Sequence, residues 1–137
     1  MKRILFLCTG NSARSQMAEG LANHLGAGKV TAVSGGINPG GVNPYAIKAL
    51  AEIGIDISAA RSKNVNVFLG QNFDYIITLC DDARQNCPFF PGKAERLHWD
   101  LTDPAGAAGT DEEILNAFRQ TRDLIKDKVS ELLKPLI

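Results

Sequence analysis

Histidine, tryptophan and cysteine are scarce in this chain: its 137 residues hold two, one and three of them. The two histidines, His24 and His98, have no second ligand at metal-binding spacing, so no metal or other cofactor is expected and both read as structural or surface residues. Three cysteines are too few for a disulfide framework, which leaves reactivity or incidental burial as their use. A net charge of one sign is missing too. Fifteen Lys+Arg balance fifteen Asp+Glu, so no global field draws the protein to nucleic acid or to an anionic membrane, and neither is expected as a partner. Any preference for anions must be local. No apolar run approaches a membrane span, and Lys2-Arg3 precedes only a short run, below the length of a signal-peptide core. The expected location is therefore the cytoplasm. Internal repeats, low-complexity tracts and linkers are also absent. With 45% hydrophobic and 22% charged residues, residues 1–137 are expected to form one globular domain, a monomer.

What the chain does have is concentrated near its start. Cys8-Thr9-Gly10-Asn11-Ser12-Ala13-Arg14-Ser15 leaves an apolar strand, Arg3 to Leu7, and enters a helix beginning near Ala13. A cysteine, five residues and an arginine let a loop curl so that backbone N–H groups and the Arg14 guanidinium surround one tetrahedral anion. The N-terminus of the following helix adds unpaired donors and a favourable dipole. Thr9 through Ser15 are thus the candidate oxyanion-binding residues, with Cys8 the candidate nucleophile at their base. The same field favours the thiolate of Cys8. Ser12 and Ser15 can add hydroxyl donors to the sulfur or the anion. Without its flanking strand and helix the motif would be little evidence, because a lone cysteine at a strand end is usually a small buried hydrophobe.

The rest of the chain alternates. A helix is expected to about Leu25, with Met17, Ala18, Leu21, Ala22 and Leu25 on one stripe. A strand follows over Lys29 to Ser34, then a loop through Gly35-Gly36 and Pro39-Gly40-Gly41. Asn43-Pro44 opens a second helix that Gly54 ends, with Ile47, Leu50 and Ile53 on one face. Residues 55–69 have no clear pattern. Asp74 to Leu79 is a third strand, delivering Cys80 at its end as the first delivers Cys8, and Arg96 to Trp99 is a fourth. Thr110 and Glu113 form a capping box for a long last helix with Ile114, Phe118, Thr121, Ile125, Val129 and Leu132 on one face. This order predicts an α/β three-layer sandwich around a four-stranded, mainly parallel sheet. Ligands in such sheets bind beyond the carboxyl ends of strands, where Cys8, Cys80 and Asp103 converge.

Cys8 to Ser15 followed by Gln16-Met17-Ala18-Glu19-Gly20 resembles the start of the low-molecular-weight phosphotyrosine phosphatase fold, and in particular its thioredoxin-coupled arsenate reductase branch. Gly41-Val42-Asn43-Pro44, Asp56-Ile57-Ser58, Ile76 to Cys80, Asn86-Cys87-Pro88, His98-Trp99 and Asp103 to Gly106 extend the likeness over nearly the whole chain. Cys80 and Cys87 discriminate the branch, since a phosphatase needs only the loop cysteine. The resemblance implies arsenate as substrate, with phosphate or sulfate as analogues, and a detoxifying role. Cys8, Cys80 and Cys87 would form a thiol relay, Arg14 would bind the anion, Asp103 would be the general acid, and thioredoxin would be the reductant. Asp100 competes for the acid role, but Pro104 and the resemblance favour Asp103. In a regular helix residues 80 and 87 would lie roughly 10 Å apart, whereas a disulfide needs about 4.4–6.8 Å between Cα atoms. The pairing that the resemblance implies therefore requires Asp81 to Pro91 to bend or unwind on oxidation.

Departures from the family are few. Ala13 stands where a further cysteine is frequent, outside the relay. Asn11, Glu19 and Ser34 match a potassium site found in some relatives, but Arg61 and Lys63 replace a threonine and an aspartate, so Lys63 is expected to substitute for the ion. Two alternatives remain at this point: a phosphatase using Cys8, Arg14 and Asp103, and a redox sensor switched by Cys80 and Cys87. Ala105 stands where such phosphatases tend to carry an aromatic, which disfavours the first.

Overall fold

Isoleucine, leucine and phenylalanine fill Ile4 to Leu7 without a polar interruption, and a strand of that composition is stable only when both of its faces are covered. A computed structural model, describing residues 1–86, 90 and 92–136, shows this arrangement. Strand β1 (Lys2–Cys8) is central, and Ile4, Leu5, Phe6 and Leu7 are wholly buried although successive side chains point to opposite faces. It pairs in parallel with β2 (Val30–Gly36) on one side and with β3 (Tyr75–Thr78) on the other, and β4 (Glu95–His98) completes the order β2-β1-β3-β4. All three pairings are parallel, so the strand ends that carry chemistry lie on one side of the sheet.

Among the described residues four α-helices connect and cover the strands: α1 (Arg14–Leu25), α2 (Pro44–Ala51), α3 (Asp81–Asn86) and α4 (Asp111–Leu133). α1 buries Met17, Ala18, Leu21 and Ala22. α4 packs on α1 and α2 through Phe118, Thr121, Ile125 and Val129, and buries Leu133 where the sequence pattern favoured Leu132. The capping box is present, with Glu113 N donating to Thr110 Oγ1 and Thr110 N to Glu113 Oε1, both at 3.2 Å. Asn43 caps α2 by accepting from Tyr45 N at 2.9 Å. At the other end of α2, buried Arg122 donates to Ala49 O at 2.8 Å and to Glu52 at 2.9 Å, so charged groups replace the solvent that the last carbonyls would otherwise meet.

The strand boundaries differ from the sequence pattern in one way that matters. β2 runs on through Gly35 and Gly36, residues that read as loop, because Gly36 pairs with Cys8 and bridges to Asn64. The segment without pattern holds a 3-10 turn, Val65–Phe68, in which Val65 and Phe68 are buried. Pairing needs between distant segments decide both, and no local window contains them. Asp81–Asn86 is helical. Cys87, with residues 88, 89 and 91 of the segment expected to rearrange, lies outside the described residues.

Candidate functional site

The loop after β1 is shaped by what holds its carbonyls. Ile37 N donates to Cys8 O at 3.2 Å, Asn38 N to Thr9 O at 2.8 Å, Gly40 N to Gly10 O at 2.9 Å and Asn43 N to Ser12 O at 3.0 Å. Asn11 O accepts from Gln16 Nε2 at 3.1 Å. Carbonyl and N–H point opposite ways across a trans peptide, so each carbonyl held on the outside turns the following N–H inward. The five held carbonyls, from Cys8 to Ser12, therefore aim the N–H groups of residues 9–13 at the enclosed side of the loop. α1 begins directly after, and its N-cap Ala13 supplies no side-chain hydrogen bond. Its first amides therefore receive no hydrogen bond from the N-cap side chain, and such amides suit an anion.

A cavity of about 220 Å³ lies on that side, lined by Cys8, Thr9, Gly10, Ser12, Ala13, Arg14, Asp103 and Ala105. Arg14 is buried, and its Nη1 donates to Leu101 O at 2.9 Å and more weakly to Leu79 O at 3.4 Å. Those carbonyls belong to the segments leaving β3 and β4, so the sheet itself orients the guanidinium. Arg14 Nη2 faces Asp103 Oδ2 at 3.6 Å. The Asp103 carboxylate is half exposed and is steadied through its other oxygen by Ala105 N at 3.0 Å. Asp100 lines a separate hollow against α4 and not this cavity, which leaves Asp103 as the carboxylate at the cradle.

Asn11 and Ser15 face away from the cavity, behind the sulfur. Lys63 N donates to Asn11 Oδ1 at 2.7 Å, and because a backbone N–H can only donate, this contact fixes which end of the amide is which. Asn11 Nδ2 then donates to Ser15 Oγ at 2.9 Å and to Ser34 Oγ at 2.8 Å. Ser15 Oγ lies 2.8 Å from Cys8 Sγ. A thiolate only accepts, so in that form Cys8 takes the hydroxyl hydrogen of a serine already accepting from Asn11. Beyond Ser34 the chain continues to Glu19 Oε1 at 3.0 Å, which Lys63 Nζ approaches at 3.8 Å. Asn11 is fully buried, and its φ of 45° is the one left-handed non-glycine conformation among the described residues. Asparagine tolerates that region better than other side chains.

Cys80 follows β3, the neighbour of β1, and is buried. Its Sγ lies 3.3 Å from Thr9 Oγ1, on the residue next to Cys8, and accepts from Ala83 N at 3.4 Å. The fold therefore brings Cys8, Cys80, Arg14 and Asp103 to one place, while Cys87 lies outside the described residues. His24 is exposed, and His98 Nδ1 bonds Thr78 Oγ1 at 2.7 Å, away from the cradle. Sequence reasoning missed Gln16, Ser62 and the Ile37–Asn43 segment as supports of the loop. The only local hint was polarity, in Gln16 within the expected first helix and in Ser62 within the stretch that has no clear pattern.

Residues 3–137 match the low molecular weight phosphotyrosine protein phosphatase family. An arsenate reductase of Halalkalibacterium halodurans is 48% identical over 128 residues, covering 93% of this chain and 92% of that protein. The structure of an arsenate reductase in its oxidized state superposes with a TM-score of 0.86 at 36% identity over the full length of both chains. The thioredoxin-dependent arsenate reductase of Corynebacterium glutamicum superposes with a TM-score of 0.75 at 29% identity, covering 99% of this chain and 62% of that one.

Proposed function

The chain belongs to the low molecular weight phosphotyrosine protein phosphatase family, and within it we propose that the protein is an arsenate reductase that passes two electrons through Cys8, Cys80 and Cys87 and is recharged by thioredoxin. The observation that carries this reading is the contact of Cys80 Sγ with Thr9 Oγ1 at 3.3 Å: a second thiol stands at the rim of the oxyanion cradle, where phosphoryl transfer has no use for one. The names of the similar proteins, arsenate reductases among both the sequences and the structures, agree with it.

Arsenate enters the cavity and meets the inward amides and Arg14. Cys8 thiolate attacks arsenic(V), and Asp103 protonates the departing oxygen, which leaves as water. Cys80 thiolate then attacks Cys8 Sγ. The Cys8–Cys80 disulfide forms as the sulfur–arsenic bond breaks, its electron pair stays on arsenic, and arsenite departs. Cys87 thiolate attacks Cys80, releasing Cys8 as thiolate, and the resulting Cys80–Cys87 disulfide is reduced by thioredoxin. No helix among the described residues is long and apolar enough to cross a membrane. A cytoplasmic monomer with no bound cofactor completes the proposal.

The test is NADPH consumption with arsenate, thioredoxin and thioredoxin reductase, on wild type, Cys80→Ser and Cys87→Ser. Arsenate-dependent consumption lost in both variants supports the relay. Aryl phosphate hydrolysis that survives both variants, with no arsenate turnover in wild type, identifies a phosphatase instead.

A further inference from the structure

Two residues that never reach the cavity hold the backbone that lines it. Gly36 is buried at the end of β2, in register with Cys8. A Cβ there would lie 2.7 Å from Thr9 O, 2.8 Å from Asn11 N and 3.0 Å from Asn11 Cβ. Two of these are backbone atoms of the loop, which cannot swing aside as the tip of a side chain does. Ser62, half-buried in the stretch that showed no sequence pattern, donates from Oγ to Gly10 O at 2.9 Å. Gly10 O also accepts from Gly40 N at 2.9 Å, so the Gly10–Asn11 peptide is gripped on its carbonyl side by two donors. Gln16 Nε2 to Arg61 O at 2.9 Å and Lys63 N to Asn11 Oδ1 at 2.7 Å fasten the residues on either side of Ser62 to the same loop.

We propose that Gly36 and Ser62 are positioning residues that set the affinity of the cradle for a tetrahedral dianion; the proposal rests on the oxyanion-site reading but not on arsenate turnover. Gly36 keeps the loop floor low enough for the Thr9–Asn11 backbone to lie against β2. Ser62 fixes the rotation of the Gly10–Asn11 peptide, and with it the direction of the Asn11 N–H. Hydrogen bonds weaken steeply as their angle falls, so a peptide plane that turns or lifts loses its donor from the anion site.

The probe is inorganic phosphate, titrated calorimetrically into the reduced protein. Gly36→Ala is expected to weaken phosphate binding at least about tenfold, because a misplacement on the ångström scale is enough to cost this much or more. Ser62→Ala is expected to weaken it severalfold, and Ser62→Thr, which keeps the hydroxyl, to restore binding to within twofold of wild type. A merely structural role would lower the melting temperature without changing the affinity of the folded protein. A folded Gly36→Ala or Ser62→Ala that binds phosphate within twofold of wild type overturns the assignment for that residue. Should Gly36→Ala not fold, the Ser62→Ala and Ser62→Thr pair decides. Wild-type protein that fails to bind phosphate overturns the oxyanion reading itself, whereas phosphate binding without arsenate turnover overturns only the reductase reading.

Discussion

Replacing Asn11 by alanine tests the architecture behind the sulfur. The side chain makes four hydrogen bonds, to Ser15 Oγ, Ser34 Oγ, Gln16 Nε2 and Lys63 N, all in a site where Asn11 is fully buried. A net hydrogen bond contributes about 1 kcal/mol, and a buried partner left unsatisfied costs about 1–3 kcal/mol. Gln16 Nε2 keeps Asn11 O and Arg61 O as acceptors, and Ser34 keeps Glu19, so only part of the full penalty applies. Alanine at the left-handed φ of 45° adds about 1 kcal/mol of strain. The sum is roughly 3–5 kcal/mol, a large share of the roughly 5–15 kcal/mol that stabilises a domain. Asn11→Gly removes the same bonds without the strain and should recover about 1 kcal/mol of it. Urea unfolding of the reduced proteins measures both, with the slope checked for constancy. Alkylation of Cys8 by iodoacetamide at neutral pH should slow severalfold in both variants, since Ser15 loses the donor that turns its hydroxyl toward the sulfur. An Asn11→Ala variant destabilised by less than about 1 kcal/mol, with unchanged alkylation, would refute the reasoning.

Other outcomes follow from single contacts. Asp103→Asn should lower the maximal rate of arsenate turnover about a hundredfold or more, the usual contribution of a general acid, while the melting temperature barely moves, because the ion pair with Arg14 is half exposed on the Asp103 side; equal losses of rate and stability would contradict this. Lys63 Nζ donates to Arg61 O at 2.9 Å and faces Glu19, as a bound cation would; turnover is expected to be the same in potassium and sodium at fixed ionic strength, and a marked rise with potassium would count against the substitution. The hydrogen bonds from Arg119, with the one from Arg122, hold the Glu52 carboxyl below the usual carboxylate range. The native state then binds fewer protons than the unfolded chain, so this contribution is present above the ordinary glutamate pKa of about 4.3 and is lost as pH falls through the native value. Thermal melts across the acid range should show a shallower acid loss for Glu52→Gln, and parallel curves would exclude the linkage.

How much of this was legible beforehand depends on the distance over which each feature is decided. Ile4 to Leu7 announced a strand buried on both faces, and Thr110 with Glu113 announced the start of α4, because run composition and capping are settled within a few residues. The Cys8 to Arg14 spacing announced a tight loop between β1 and α1 for the same reason. Gly36 looked like loop and residues 55–69 showed no clear pattern, yet Gly36 and the 61–63 stretch hold the loop after β1. Their partners lie 25 or more residues away, and no local pattern records a hydrogen bond of that separation.

The sequence by itself determined the alternation of strands and helices, the candidate nucleophile and the loop that follows it, and the presence of two further thiols, since each follows from local periodicity, spacing or residue type. Only the tertiary structure decided which way the loop amides face, that Asn11 lies behind the sulfur while Arg14 lines the cavity, that Asp103 and not Asp100 stands at the cavity, and that Cys80 lies beside Thr9. Those outcomes depend on parallel pairing in the order β2-β1-β3-β4, which brings segments remote in the chain to one edge of the sheet, where each fixes the peptide planes of the other.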